Sequence, residues 1–206
     1  MSALIVTGTD TGVGKTIFSA GLTQALGARY WKPVQSGLDD VTDTETVRAL
    51  SGAEVLPEVY RLRKPASPHL SAEDVGIEIR LQQLTLPDTA GPLIIEGAGG
   101  VMVPLTRQLV MLDLFAHWQA PVVVVARTAL GTINHTLLSL RALREAGCPV
   151  IGVAFVGDAE PDVEQTIAEM GQVRHLGRLS YLGHLSRTSL SGAFAAINVK
   201  TIRRFL

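Results

Sequence analysis

The sequence predicts an α/β fold, a single domain with a mostly parallel central sheet and helices on both faces. Three observations predict it. Short apolar runs alternate with helical patterns along almost the whole chain. Those runs are mostly solid rather than alternating, as strands covered on both faces must be. The first of them leads straight into a glycine-rich turn that opens a helix. Alternation of this kind implies right-handed strand–helix–strand crossovers.

The strand candidates are Ala3–Thr7, Arg29–Lys32, Leu93–Glu96, Val122–Ala126, Val150–Val156 and His175–Leu179. Ile17–Leu26, Leu109–Trp118, Ile133–Ala146 and Val163–Met170 read as amphipathic helices. The stretch from Gln35 to Pro92 is the least regular, carrying Pro57, Pro65, Pro68 and Pro87. It is expected to hold two short helices, near Thr44–Leu50 and Ala72–Leu84, within long loops. Loops that long in a compact domain tend to be functional. No repeat or low-complexity tract divides the chain, so residues 1–206 read as one unit.

Composition narrows the function classes. A chain of 206 residues can build a large single core. Its 47% hydrophobic content and mean hydropathy of +0.28 fit a sheet buried on both faces or an additional buried subunit interface. A formal net charge of −1 gives no electrostatic footprint for nucleic acid or an anionic membrane. Cys148 is the single cysteine, which excludes an internal disulfide framework and a cysteine-based zinc cluster. The run Ala3–Thr7 follows Met1-Ser2 with no basic stretch. It is far shorter than the ~20 apolar residues of a membrane helix, and a cytoplasmic protein is expected.

The chemistry-bearing residues fall at strand ends, where ligands bind in parallel sheets. Gly8-Thr9-Asp10-Thr11-Gly12-Val13-Gly14-Lys15-Thr16 follows the first strand and opens the first helix, the context a phosphate-binding loop requires. Its glycines let backbone N–H groups turn toward phosphate oxygens, and the helix N-terminus adds partial positive charge. Lys15 can reach the β- and γ-phosphates and the Thr16 hydroxyl can ligate Mg2+. Thr9 stands where the strict motif has its first glycine. Leu93–Glu96 is an apolar strand ending in an acid, where a P-loop enzyme needs a metal-holding carboxylate, and Gly97-Ala98-Gly99-Gly100 follows it. Lys32-Pro33-Val34-Gln35-Ser36-Gly37 puts a lysine at the end of the second strand, where a buried ammonium needs an anionic partner. Gly131-Thr132-Ile133-Asn134-His135 opens another helix with free N–H groups suited to a carboxylate or phosphate. One of Asp39, Asp40 and Asp43 could complete a Mg2+ shell with Thr16 and Glu96. His135 reads as a structural hydrogen-bonding residue, and His69, His117, His175 and His184 lack metal-ligand spacing.

Taken with Ser67-Pro68-His69, these elements in this order resemble the dethiobiotin synthetase family, from about residue 3 to residue 157. Thr9 in the phosphate-binding loop is also that family's habit. The resemblance implies a P-loop NTPase fold and a cytoplasmic homodimer. It implies conversion of 7,8-diaminononanoate, CO2 and ATP, with Mg2+, into dethiobiotin, ADP and phosphate. It implies that Gly12, Val13, Gly14, Lys15, Thr16 and Ile17 hold the nucleotide, and that Thr16, Asp43 and Glu96 hold Mg2+. Lys15, Lys32 and Thr11 would be catalytic. Thr11, Lys32 and Ser36 would face the diamine and its carbamate, and Gly131, Thr132, Ile133 and Asn134 would bind the substrate carboxylate across the dimer interface. A rival class is a P-loop ATPase acting as a partner-regulated switch, which would turn over ATP without a diamine.

The sequence departs from the family pattern at three places. Gly12 stands where many relatives carry an acid. The strand Val150–Val156 ends in Val156, where relatives often place an asparagine that reads adenine. The tail from about Gly183 matches weakly. Val156 offers contact but no amide, and phosphate contacts are the same for every nucleoside triphosphate. CTP, GTP and UTP are therefore predicted to support turnover within roughly tenfold of ATP, a gap of ~1.4 kcal/mol. Steady-state kcat/KM for the four triphosphates checks this. A preference for ATP well beyond that range would mean that another group, such as the backbone around Gly177–Leu182, reads the base.

Overall fold

The computed structural model describes residues 2–206. Its strands are β1 (Ala3–Gly8), β2 (Arg29–Trp31), β3 (Val34–Ser36), β4 (Tyr60–Leu62), β5 (Leu93–Gly100), β6 (Val122–Arg127), β7 (Val150–Val156) and β8 (His175–Leu179). Six of them form one sheet in the order β2-β5-β1-β6-β7-β8, with every neighbouring pair parallel. The helices are α1 (Lys15–Leu26), α2 (Asp43–Ser51), α3 (Pro68–Asp74), α4 (Met111–Trp118), α5 (Thr132–Glu145), α6 (Pro161–Met170), α7 (Arg187–Ala193) and α8 (Val199–Arg203).

The solid apolar runs are solid because each strand feeds two cores. Ala3 and Ile5 of β1 join Ile95, Val122 and Val124 on one face, under Phe115 of α4, Leu140 of α5 and Ile167 of α6. Leu4 and Val6 point the other way and join Ile94, Val123 and Val125 beneath Phe18 and Leu22 of α1. Leu190 of α7 and Ile202 of α8 close that second face. Helices therefore lie on both sides of a mostly parallel sheet, the architecture the strand–helix alternation predicts.

Several elements differ from expectation. The strand expected to end at Glu96 runs on to Gly100, which pairs with Gly8 of β1, so the acid lies in its middle. The helix expected over Ala72–Leu84 is absent: α3 ends at Asp74, Gly76 takes a φ of 66°, and only the 3-10 turn Leu81–Gln83 follows. The strand expected over Arg29–Lys32 stops at Trp31, ahead of Pro33, which has no N–H to continue a ladder. Beyond it β3 pairs in parallel with β4 as a separate two-stranded sheet. Each of these strands has three residues, too short for a periodicity to register. The weakly patterned tail forms α7, a 3-10 turn at Phe194–Ala196 and α8.

The tail docks on α1 through a close approach. Phe194 lies over Gly21, where an added Cβ would come within 2.2 Å of its ring, and Phe18 stacks against the same ring at 5.3 Å between centroids. Gly21→Ala should therefore cost roughly 1–3 kcal/mol, because overpacking outweighs the better helix propensity of alanine, about 1 kcal/mol. Urea denaturation checks it; unchanged or increased stability would show that the tail yields freely at this contact.

Candidate active site

The phosphate-binding loop is shaped by its glycines. Between β1 and α1 the chain turns with Gly12 at φ 71° and Gly14 at φ 95°, left-handed conformations that strain any residue with a Cβ. Gly14 also abuts β7, since a Cβ there would meet Val156 Cγ1 at 2.8 Å. Val13 packs beneath the loop, 2% exposed, close against Gly8. No side chain caps α1, so its first N–H groups face the loop's mouth as an anion site. The Lys15 Nζ donates to the Asp10 carbonyl at 2.8 Å. Burial lowers its pKa to about 8, against the opposing pull of the Glu96 carboxylate.

Two carboxylates converge beside that lysine. Glu96 in β5 is fully buried. Its Oε1 accepts from Thr16 Oγ1 at 2.9 Å and from Lys32 Nζ at 3.2 Å, and its Oε2 accepts from the Tyr30 phenol at 3.0 Å. Asp43 arrives from α2. The capping box there, with Glu45 N–H donating to Thr42 Oγ1 and Thr42 N–H to Glu45 Oε2, starts the helix so that Asp43 is its first residue. Asp43 Oδ1 lies 2.6 Å from Thr16 Oγ1, and its Oδ2 pairs with Lys32. Asp39 and Asp40 are exposed and take no part in this cluster.

The two lysines feel opposite environments. Burial alone would push the Lys32 ammonium down, but Glu96 and Asp43 outweigh it and raise its pKa above the ordinary lysine value. Asp43 responds in kind: burial pushes its carboxyl up, and Lys32 more than reverses this, leaving it below the usual value. Burial and the Glu96 charge hold the Tyr30 phenol well above its ordinary range, so it remains a donor. Thr16 has a single hydroxyl hydrogen yet stands within hydrogen-bond distance of two carboxylates. An arrangement of three oxygens that one proton cannot satisfy suits a hard divalent cation, which takes oxygen donors and keeps waters.

These groups line one cleft of about 620 Å3, within the usual size for a small-molecule site. Thr11, Gly12, Gly14, Lys15, Thr16 and Ile17 form one wall, and Lys32, Ser36, Asp43 and Glu96 another. Val13 lies behind the loop rather than in the cleft. Gly131, Thr132, Ile133 and Asn134 are not brought there; they form the cap and first turn of α5, outside the cleft of this chain. His135 is exposed beside a second cleft, and its side chain makes none of the hydrogen bonds expected of it among the described residues. Sequence reading missed Tyr30, whose only signal is its place two residues before Lys32, and Pro65 and Ala66, which complete the cleft beside Gln35 and Ser67-Pro68 of the sequence motifs.

Fold and loop together define the class: this is a P-loop NTPase fold. Solved structures agree on the fold. The chain matches the Pyrococcus furiosus cell division ATPase MinD over all of both chains, with a TM-score of 0.64 at 13% identity. It matches a chain of the Aquifex aeolicus MinC:MinD cell division protein complex with a TM-score of 0.59 at 12% identity, covering 99% of this chain and 95% of that one. A family model described as an AAA domain matches residues 2–189. The ATP-dependent dethiobiotin synthetase of Rhodopseudomonas palustris strain TIE-1 is 58% identical over 200 residues, 95% of this chain and 94% of the relative. That of Novosphingobium aromaticivorans is 59% identical over 198 residues, 95% and 96% respectively. The chain belongs to the dethiobiotin synthetase family.

The pairing of Lys32 predicts how its removal behaves. Lys32→Ala leaves Glu96 buried opposite Asp43 without its counter-ion, a loss of about 3 kcal/mol in metal-free buffer. Mg2+ should restore a large part of it by neutralising the same carboxylates. Urea melts in EDTA and in millimolar Mg2+ check this, and equal stability of variant and parent in EDTA would show that Lys32 is not what compensates Glu96.

Proposed function

We propose that the protein closes a urea ring on 7,8-diaminononanoate, using CO2 and ATP, to give dethiobiotin, ADP and phosphate. The observation that carries this, beside family membership, is the placement of two buried lysines and two carboxylates in one cleft at the mouth of the phosphate-binding loop. One substrate amine adds to CO2 and loses a proton, giving a carbamate. The carbamate oxygen attacks the γ-phosphorus of ATP and ADP departs. The second amine then attacks the carbonyl carbon of that mixed anhydride, and phosphate leaves as the ring closes. No covalent enzyme intermediate and no strong base is needed. The work is alignment and anion stabilisation.

The residues divide accordingly. Gly12, Val13, Gly14, Lys15, Thr16 and Ile17 hold the nucleotide, with Lys15 on the transferring phosphoryl group. Lys15 is desolvated and bonded only to a backbone carbonyl, so a phosphate is the anion its environment lacks. Thr16, Asp43 and Glu96 hold Mg2+, which when bound spreads the charge of the β- and γ-phosphate oxygens. Lys32, on the other wall of the cleft, is the cation that would face the carbamate. Thr11 and Ser36 line the cleft on the side proposed for the diamine. Gly131, Thr132, Ile133 and Asn134 offer the start of α5 to the carboxylate of a substrate bound by the second subunit of a homodimer. Exposed Met102, Leu130 and Leu138 near that helix support an intersubunit face. No helix among the described residues is long and apolar enough to cross a membrane; the cytoplasm is the location the proposed biosynthetic reaction suggests.

A switch ATPase would share the fold but leave the substrate side of the cleft without a task. Incubation with diaminononanoate, bicarbonate and MgATP should yield dethiobiotin by mass detection, with phosphate release that depends on the diamine. ATP turnover indifferent to the diamine would overturn the reading. Lys15→Ala should fold normally and lose ~10²–10³ in rate. Light scattering at assay concentration should give a dimer, and a fully active monomer would contradict the shared site.

A further inference from the structure

Glu96 is held from two sides, and the chemistry proposed above uses only one. Its Oε1 faces Thr16 and Lys32, the cleft side. Its Oε2 points into the sheet and accepts a single hydrogen bond, from the phenol of Tyr30 at 3.0 Å. Tyr30 is itself fully buried in β2, the strand beside β5, in register with Ile94 two residues before Glu96. Its backbone is fixed on the other edge as well, with Tyr30 N–H donating to Glu54 and its carbonyl accepting from Leu56. Neither ring nor backbone has room to follow the carboxylate if the carboxylate turns.

We propose that Tyr30 is a positioning residue, pinning Glu96 Oε2 so that Oε1 alone is presented to Thr16, Lys32 and the divalent cation. This rests on the reading of Thr16, Asp43 and Glu96 as metal-facing groups, and not on the identity of the diamine. The consequence is metal selectivity. Mg2+ requires short, near-octahedral bonds and takes a carboxylate through one oxygen, whereas Ca2+ accepts more ligands and bidentate carboxylates. A carboxylate whose second oxygen is committed to a buried phenol favours the first mode. Removing the hydroxyl frees Oε2 to swing toward the cation, which weakens Mg2+ and leaves Ca2+ equal or tighter.

The test is Tyr30→Phe, which keeps the ring and deletes the donor. Binding of Mn2+ to the protein with ADP is followed by electron paramagnetic resonance and competed with Mg2+ or Ca2+. Loss of such a partner typically lowers metal affinity roughly ten- to hundredfold, so Mg2+ should weaken by about tenfold while Ca2+ holds, narrowing the ratio between them. ADP affinity in EDTA should not move. Unchanged Mg2+ affinity, or equal weakening of both metals, overturns the proposal. Absence of any cation binding by the parent with ADP overturns it together with the metal reading, whereas failure to make dethiobiotin while these shifts persist overturns only the substrate assignment.

Should Tyr30→Phe not fold, the parent chain answers. It has three tyrosines, and in protein labelled with 3-fluorotyrosine the Tyr30 resonance is assigned by elimination using Tyr60→Phe and Tyr181→Phe. That resonance should shift when Mg2+ is added to the ADP complex and stay still with ADP in EDTA. A resonance blind to Mg2+ overturns the proposal.

Discussion

Glu96, a carboxylate with no exposure to water, sits in the middle of β5, an interior strand of a parallel sheet, and the site is built around compensating it. An ionised carboxylate taken out of water costs several kcal/mol unless opposite charge and donors replace its hydration. Here the replacements come from two neighbouring elements: Tyr30 in β2 with Lys32 just beyond it, and Thr16 in α1. Asp43 in α2 then shares Lys32 and Thr16 with it. The sheet order that puts β5 between β1 and β2 is thus also what lets the phosphate-binding loop and the lysine-bearing strand reach the same acid.

That compensation is uneven, and the unevenness sorts the two lysines into roles. Lys32 sits between two carboxylates and is held charged by them. Lys15 is nearly as buried but contacts only a backbone oxygen, so its charge is costly until an anion arrives. Both lie in one cleft, and their difference comes entirely from what each faces. On the proposed reading, a phosphate entering at the start of α1 would meet the cation that is short of a partner, with the other lysine left to the substrate side.

Much of this was legible in the sequence, for physical reasons that can be named. Strands covered on both faces need unbroken apolar runs, so β1, β5, β6 and β7 announce themselves. The loop before Lys15 needs glycines where φ is positive, and Gly12 and Gly14 supply them. Asp43 could have been told from Asp39 and Asp40 by Thr42-Asp43-Thr44-Glu45, a capping-box pattern that places Asp43 at a helix start. What was not legible depends on tertiary pairing. β3 and β4 are too short to carry a period, Gly76 ends a helix that the apolar pattern would continue, and a tyrosine in a strand reads as core until its hydroxyl is seen to point at an acid.

The fold alone does not choose the chemistry, since cell division ATPases share it at 13% identity. The far wall of the cleft comes from outside the main sheet: Val34, Gln35 and Ser36 on β3, and Pro65, Ala66, Ser67 and Pro68 leading into α3. Those residues belong to the irregular stretch that carries little of the periodic pattern and much of the proline. Fixed φ values at Pro65 and Pro68 hold that wall rigid without regular structure. A reaction that needs two amines and a phosphoryl group aligned, but no nucleophile or base from the protein, asks for a stiff wall opposite a phosphate site more than for any reactive side chain. On the function proposed above, the surface between β3, α3 and the loop before α1 is the part of this cleft that would select the substrate.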